Sequence, residues 1–279
     1  MTGNLIQVLL LAIPLGLPIE TISLSVSGAL EAGYRHMYNL EFDQAHTTFQ
    51  SWEQSHPDDP MGPTSDAAAI LYSEFNRLGI LQAELFADDE MLRKFRKPVP
   101  DPQAKKSFEN ALAKSERLAD AILSRSPSDE NALFAKVLNQ GLCADYDGLI
   151  EKHLLASLGH MKAGRLLARK LLALNSTCYD AYLAIGVENY IVGSSPAPVR
   201  WFLQLFGSQA DKRQGVEILE LTAKHGHYLM PFARLLLAVA ALRDRKPDEA
   251  RQLLEGLARE FPNNPLYARE AARIAESRR

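Results

Sequence analysis

Two cysteines and two tryptophans in 279 residues, and a formal charge of only -3, set the first limits on this chain. Cys143 and Cys178 stand in no C-x-x-C pair and in no Cys/His cluster of ligand spacing, which reads as two small packing residues and not as a metal site. On helical geometry they fall roughly 20 Å apart along neighbouring parallel helices, beyond the reach of a disulfide. Lys and Arg number 31 against 34 Asp and Glu, so no strong positive field exists to hold a nucleic acid backbone, and no nucleic acid partner is expected. Strand-like alternation of apolar and polar residues is scarce as well.

Catalytic signatures are also missing. The chain has no H-E-x-x-H, no G-x-S-x-G, no Walker loop and no glycine-rich dinucleotide fingerprint, so the expectation is a non-enzymatic protein with no cofactor and no metal. His225-Gly226-His227 reads as a polar turn at a helix end. His153 and His160 lie two turns apart on one face and can meet, but no further ligand completes a set, and they read as surface histidines. The acidic runs Asp58-Asp59 and Asp88-Asp89-Glu90 read as solvated loops or helix starts.

What the chain does have is apolar residues, 47% of the total against 23% charged, which suffices for a packed core. After Ala29 these recur at i, i+3, i+4 and i+7 almost everywhere, the period of amphipathic helices. The helices repeat. Residues 231–264 place Leu237-Ala238 in a first helix and Ala250, Leu254, Leu257 and Pro262 in a second, in one unbroken 34-residue frame. Near the start, Ala32-Gly33, Ala45, Phe49, Trp52 and Pro57 fill the same frame, and Asp43 is expected to cap the second helix of that pair. Small residues in this pattern let two antiparallel helices approach, large ones fill the space between pairs, and the proline ends the second helix.

Three middle units are stretched. The first pairs a helix over 65–86 with one over 103–125, separated by an inserted loop. The next pairs 130–146 with a long helix ending near Leu174. The third has Ile185-Gly186 in its first helix and 211–225 as its second, after the insertion SSPAPVRWFLQLFGSQ. A last helix over 266–277 is expected to cover the open end of the stack.

On these residues the chain resembles tetratricopeptide (TPR) repeat proteins. The stretch from Tyr38 to Phe42 is similar to the YNLEF-type turn of exported bacterial TPR proteins. Gly186, Asn189, Pro196, Arg200, Gly207, Asp211 and Gly215 further resemble eukaryotic TPR proteins of the inclusion-body-clearance family. The first resemblance implies an all-α fold, an α–α superhelix of about five TPR-like helix pairs with long insertions and a C-terminal capping helix. It also implies export. The second implies only that the insertion is a family feature.

Residues 1–29 form a separate segment from the repeat domain over 30–279. Leu5–Ile19 is an apolar run of signal-peptide length, followed by small residues at Ser27-Gly28-Ala29, although no Lys or Arg precedes it. The expected location is periplasmic or extracellular; the alternative is membrane anchoring through this segment.

In a superhelix of this type the first helices line a concave face. The residues expected there include Leu30, Tyr34, Met37, Tyr38, Phe134, Leu138, Leu183, Val187, Tyr190, Leu235 and Val239, an apolar and aromatic wall. The insertion adds Arg200, Trp201, Phe202 and Phe206, which either fold into that groove or project as a docking or membrane-surface element. The leading expectation is an interaction scaffold for an unidentified protein or peptide partner. A carrier of a lipid or other apolar ligand in the groove is the alternative, and membrane contact through the N-terminus or residues 196–206 is compatible with either.

Overall fold

A computed structural model describes residues 20–81, 98–195 and 211–276, with side chains from Gly28 onward. These residues form eleven α-helices and no strand. They are α1 (Glu20–Tyr38), α2 (Phe42–Ser55), α3 (Met61–Arg77), α4 (Pro102–Leu123), α5 (Glu130–Asp145), α6 (Leu154–Leu174), α7 (Tyr182–Ser194), α8 (Lys212–His225), α9 (Met230–Arg243), α10 (Pro247–Glu260) and α11 (Pro265–Glu276). A π-helical turn, Tyr146–Glu151, joins α5 to α6, and a 3-10 turn, Tyr179–Ala181, precedes α7.

Each helix packs on its neighbours in sequence: α1 on α2, α3 on α4, α5 on α6, α7 on α8, α9 on α10, with α11 laid over the end. This is an all-α superhelix of five helix pairs and a capping helix. Its pairs close through small residues. A Cβ on Gly33 would sit 2.3 Å from the Phe49 ring, one on Gly186 would sit 2.9 Å from Leu219, and one on Gly215 would sit 2.5 Å from the Tyr190 backbone nitrogen. In the last pair Ala238 of α9 and Leu254 of α10 are both buried in the same core. Asp101, Asp129 and Asp211 each accept a bond from a first-turn backbone N–H, at Gln103, Ala132 and Gln214, and so start α4, α5 and α8.

Several boundaries differ from the sequence reading. Asp43 does not cap α2: the chain turns through Leu40, whose φ is 62°, Glu41 occupies the cap position without a side-chain bond, and Asp43 lies one residue inside the helix. Its charge still complements the N-terminal end of the helix dipole. The helix expected over 65–86 begins at Met61 and ends at Arg77, because Gly79 adopts φ 72° and breaks the helical register. Helix α1 spans Glu20–Tyr38. The apolar run at 5–19 lies outside the described residues.

A buried polar knot ties the second pair to the third. Thr64 Oγ1 lies 2.7 Å from Ser115 Oγ and donates to Asn139 Oδ1 at 3.0 Å, and Asn139 Nδ2 donates to Ser115 Oγ and Glu116 Oε1, both at 2.9 Å. All of Thr64, Ser115 and Asn139 are buried, so the mutual bonds offset the loss of water.

The first pair also touches the last. Tyr38 Oη donates to the Tyr228 carbonyl at 3.0 Å, Asn264 Nδ2 donates to the Tyr38 carbonyl at 2.9 Å, and the Asn263 backbone donates to Asn39 Oδ1 at 3.2 Å. Arg35 donates to the Glu260 carbonyl and lies 5.7 Å from the centre of the Phe261 ring.

Candidate binding surfaces

The expected concave residues separate into two groups. Tyr34, Met37, Tyr38, Phe134 and Tyr190 are buried, whereas Leu138, Leu183 and Val187 are partly exposed. Burial of the first group comes from the chain itself. Tyr228, in the loop between α8 and α9, places its ring 4.9 Å from Tyr34 and 6.3 Å from Phe134, and Phe232 of α9 lies 5.9 Å from Tyr72 of α3. Phe261 meets Tyr38 at 5.5 Å. The fifth pair thus sits against the inner face of the first three. Arg200, Trp201, Phe202 and Phe206 lie outside the described residues.

Tyr228 is held by one carboxylate. Asp180, buried in the middle of the 3-10 turn, accepts backbone N–H bonds from His227, Tyr228 and Leu229, each at 3.0 Å. Thr222 adds a bond from its hydroxyl to the Tyr179 carbonyl at 2.7 Å. Charged acceptors satisfy backbone donors strongly in a dry setting, which fixes the loop and with it the Tyr228 ring.

Around the inner wall the phenols are driven upward in pKa. Burial raises Tyr34, against a smaller opposing effect of its hydrogen bond with Ser65, and burial raises Tyr38 and Tyr72 well above the ordinary value. Asp145 follows Phe134 and Leu138 on the same face of α5, and desolvation pushes its carboxyl up to about 7. The thiols of Cys143 and Cys178 are free and are each raised by burial to about 11, as packing residues rather than nucleophiles would be.

Helices α6 and α7 share a buried ion pair, Arg165 with Glu188, both almost wholly out of solvent. The next residue, Asn189, is fully buried, and neither polar atom of its side-chain amide has a partner among the described residues; the Tyr190 hydroxyl is in the same condition. His160 and His153 both approach Asp147, at 3.5 and 3.9 Å, and His160 Nδ1 lies 2.8 Å from Gln140 Oε1. The two histidines therefore meet across one carboxylate at the α5–α6 tip. Among the described residues no group of three or more potential ligands is gathered for a metal ion.

A surface that sequence reasoning passed over lies on the outside of α6. Leu155 is 78% exposed and Leu166 52%, with Leu154 and Leu174 also exposed. The signal was present, because the run from Leu154 to Leu174 is apolar on nearly every side, more than one buried face can use.

The fold and these surfaces define a helical-hairpin superhelix whose inner wall is occupied by its own last pair. Compared with protein-family models, curated proteins and solved structures, the chain matches none.

Proposed function

We propose that this protein is a non-enzymatic interaction scaffold of the tetratricopeptide type, which engages a protein or peptide partner on its outer surface. The single observation carrying this reading is that exposed leucines, Leu155 and Leu166 on one line, stand on α6 while much of the inner wall is covered by the chain itself. Large apolar side chains left in water on a packed helix are a standing cost, offset when a partner covers them. The repeat frames at 231–264 and around Tyr38–Phe42 support the family assignment. The apolar run at Leu5–Ile19 supports an exported, periplasmic or extracellular location. Among the described residues no helix is long and apolar enough to cross a membrane.

An apolar-ligand carrier would need Tyr228 and Phe232 to withdraw from Tyr34 and Tyr72. The test is affinity purification from the native host after delipidation, with mass spectrometry of what remains. A protein retained in fixed proportion supports the scaffold; lipid at one equivalent with no protein partner overturns it in favour of the carrier.

A further inference from the structure

The charged residues of α6 are all of one sign. Between Lys152 and Leu174 the chain carries five Lys or Arg residues and no Asp or Glu, within a protein whose total charge is negative. Arg165 is turned inward to Glu188, whereas Arg169 and Lys170 face outward. Arg169 and Lys170 are exposed and form no ion pair with a described residue. Basic charge and exposed leucines thus coincide on one helix, with nothing acidic on that helix to balance them.

Their spacing is informative. Leu155, Gly159, Lys162, Leu166, Arg169 and Ala173 follow one another at alternating steps of four and three, the repeat by which one helix receives another. On the opposite side Ser157, Gly164, Ala168 and Leu171 are buried against the α5–α6 hairpin and α7, so this seam faces directly away from the core. Gly159 is exposed and a Cβ placed on it would meet nothing within 4 Å, so it forms an open notch between the two leucines. From Leu155 to Leu174 the seam runs about 28 Å, the length of a five-turn helix.

The rigid, left-handed break at Lys152, φ 59° and ψ 27°, follows the π turn and starts α6 with Leu154 and Leu155 projecting at the hairpin tip. The seam is therefore presented by a fixed corner of the fold.

Resting on the scaffold reading above, we infer that the outer face of α6 is a docking surface for an acidic amphipathic helix of a partner protein. Leu155 and Leu166 would enter the apolar stripe of that helix, whose own large side chains would seat at Gly159 and Ala173, and its carboxylates would meet Arg169 and Lys170. A second copy of this chain fits poorly, because antiparallel pairing of two such seams brings cation against cation with no acid between them. A flat anionic membrane fits less well than a helix, since Lys162 and Arg169 lie on the seam itself and would be carried into the apolar layer along with the leucines.

The test uses the full chain and two synthetic helices with the same leucine seam, one flanked by glutamates and one by lysines, titrated by fluorescence anisotropy at low and high salt. The acidic helix should bind at least ~10-fold tighter than its lysine twin, with affinity falling as salt rises. The double variant Leu155→Gln, Leu166→Gln should lose at least ~10-fold of that affinity, and Arg169→Glu, Lys170→Glu should reverse the preference between the two helices. All four residues are exposed, and unchanged circular dichroism and melting temperature identify variants that still fold. Equal binding of both helices, or no loss in the leucine variant, overturns the inference. So does a preference for phosphatidylglycerol vesicles over the acidic helix, or a dimer abolished by Leu166→Gln. A native partner captured equally by wild type and the leucine variant overturns this face as the site and leaves the scaffold reading standing.

Discussion

Replacing Asp180 tests whether one carboxylate holds the centre of the molecule. In the native protein its two oxygens receive three backbone N–H groups, from His227, Tyr228 and Leu229, at 3.0 Å. Hydrogen bonds to a charged acceptor contribute about 1.5–3 kcal/mol each, and bonds sharing one acceptor are not additive. Asp180→Ala is therefore expected to cost about 3–5 kcal/mol, a large share of the ~5–15 kcal/mol that stabilises a typical domain. Asp180→Asn should recover little, because its amide NH2 would point a donor at donors. Urea unfolding followed by circular dichroism reads the free energy, and amide hydrogen exchange reads the loop directly: the His227, Tyr228 and Leu229 amides should exchange faster, while those of α4 stay protected. A loss below ~1 kcal/mol with unchanged exchange at 227–229 would refute the reasoning, since the carboxylate would then be no better than a surface group.

Three further outcomes follow from particular contacts. Gly215→Ala places a methyl group 2.5 Å from the Tyr190 backbone nitrogen, so α7 and α8 must part, at a cost of about 1–3 kcal/mol in thermal unfolding, whereas Gly256→Ala, with open space around it, should not destabilise. Asp145 titrates near 7 in the fold and near 3.8 when unfolded, so the folded state holds the extra proton and stability declines as pH rises from about 4 to about 7. Asp145→Asn should flatten that decline and unfold at higher denaturant than wild type at pH 8, by roughly 1–2 kcal/mol; identical pH profiles for the two proteins would contradict it. Glu188→Ala removes the carboxylate paired with the buried Arg165 guanidinium and should cost about 3–5 kcal/mol, while Glu188→Ala combined with Arg165→Met should regain most of this in the same urea assay.

The parts of the fold that sequence could disclose are those encoded within a single helix pair. Ala238, Ala250, Leu254 and Leu257 lie in consecutive turns of α9 and α10 and are buried together, so local period alone placed them. Gly33 and Gly186 were legible for the same reason, each being a small residue whose partner is one hairpin away. Tyr228 was not legible as a centre of the inner wall. Its contacts with Tyr34 and the Tyr38 hydroxyl span more than 180 residues, and no local pattern states how far a superhelix turns before its ends meet. The turn over Tyr38–Phe42 was legible, but the left-handed conformation of Leu40 within it was not, because a leucine with positive φ has no compositional signature, unlike the glycine at 79. The outer face of α6 was visible as excess apolar character, but the family pattern directs attention inward.

Stacked-repeat chains commonly tolerate loss of a terminal unit, since each hairpin depends only on the one beside it. The bonds from Asn263 and Asn264 back to Asn39 and Tyr38 remove that independence here. Deleting α10 and α11 would strip cover from the opening hairpin as well as from its immediate neighbour, so the array should melt in one step and no shorter version of it should survive by itself. Such mutual dependence also makes folding wait on contacts between distant ends of the chain, which is slow compared with the local docking of hairpins.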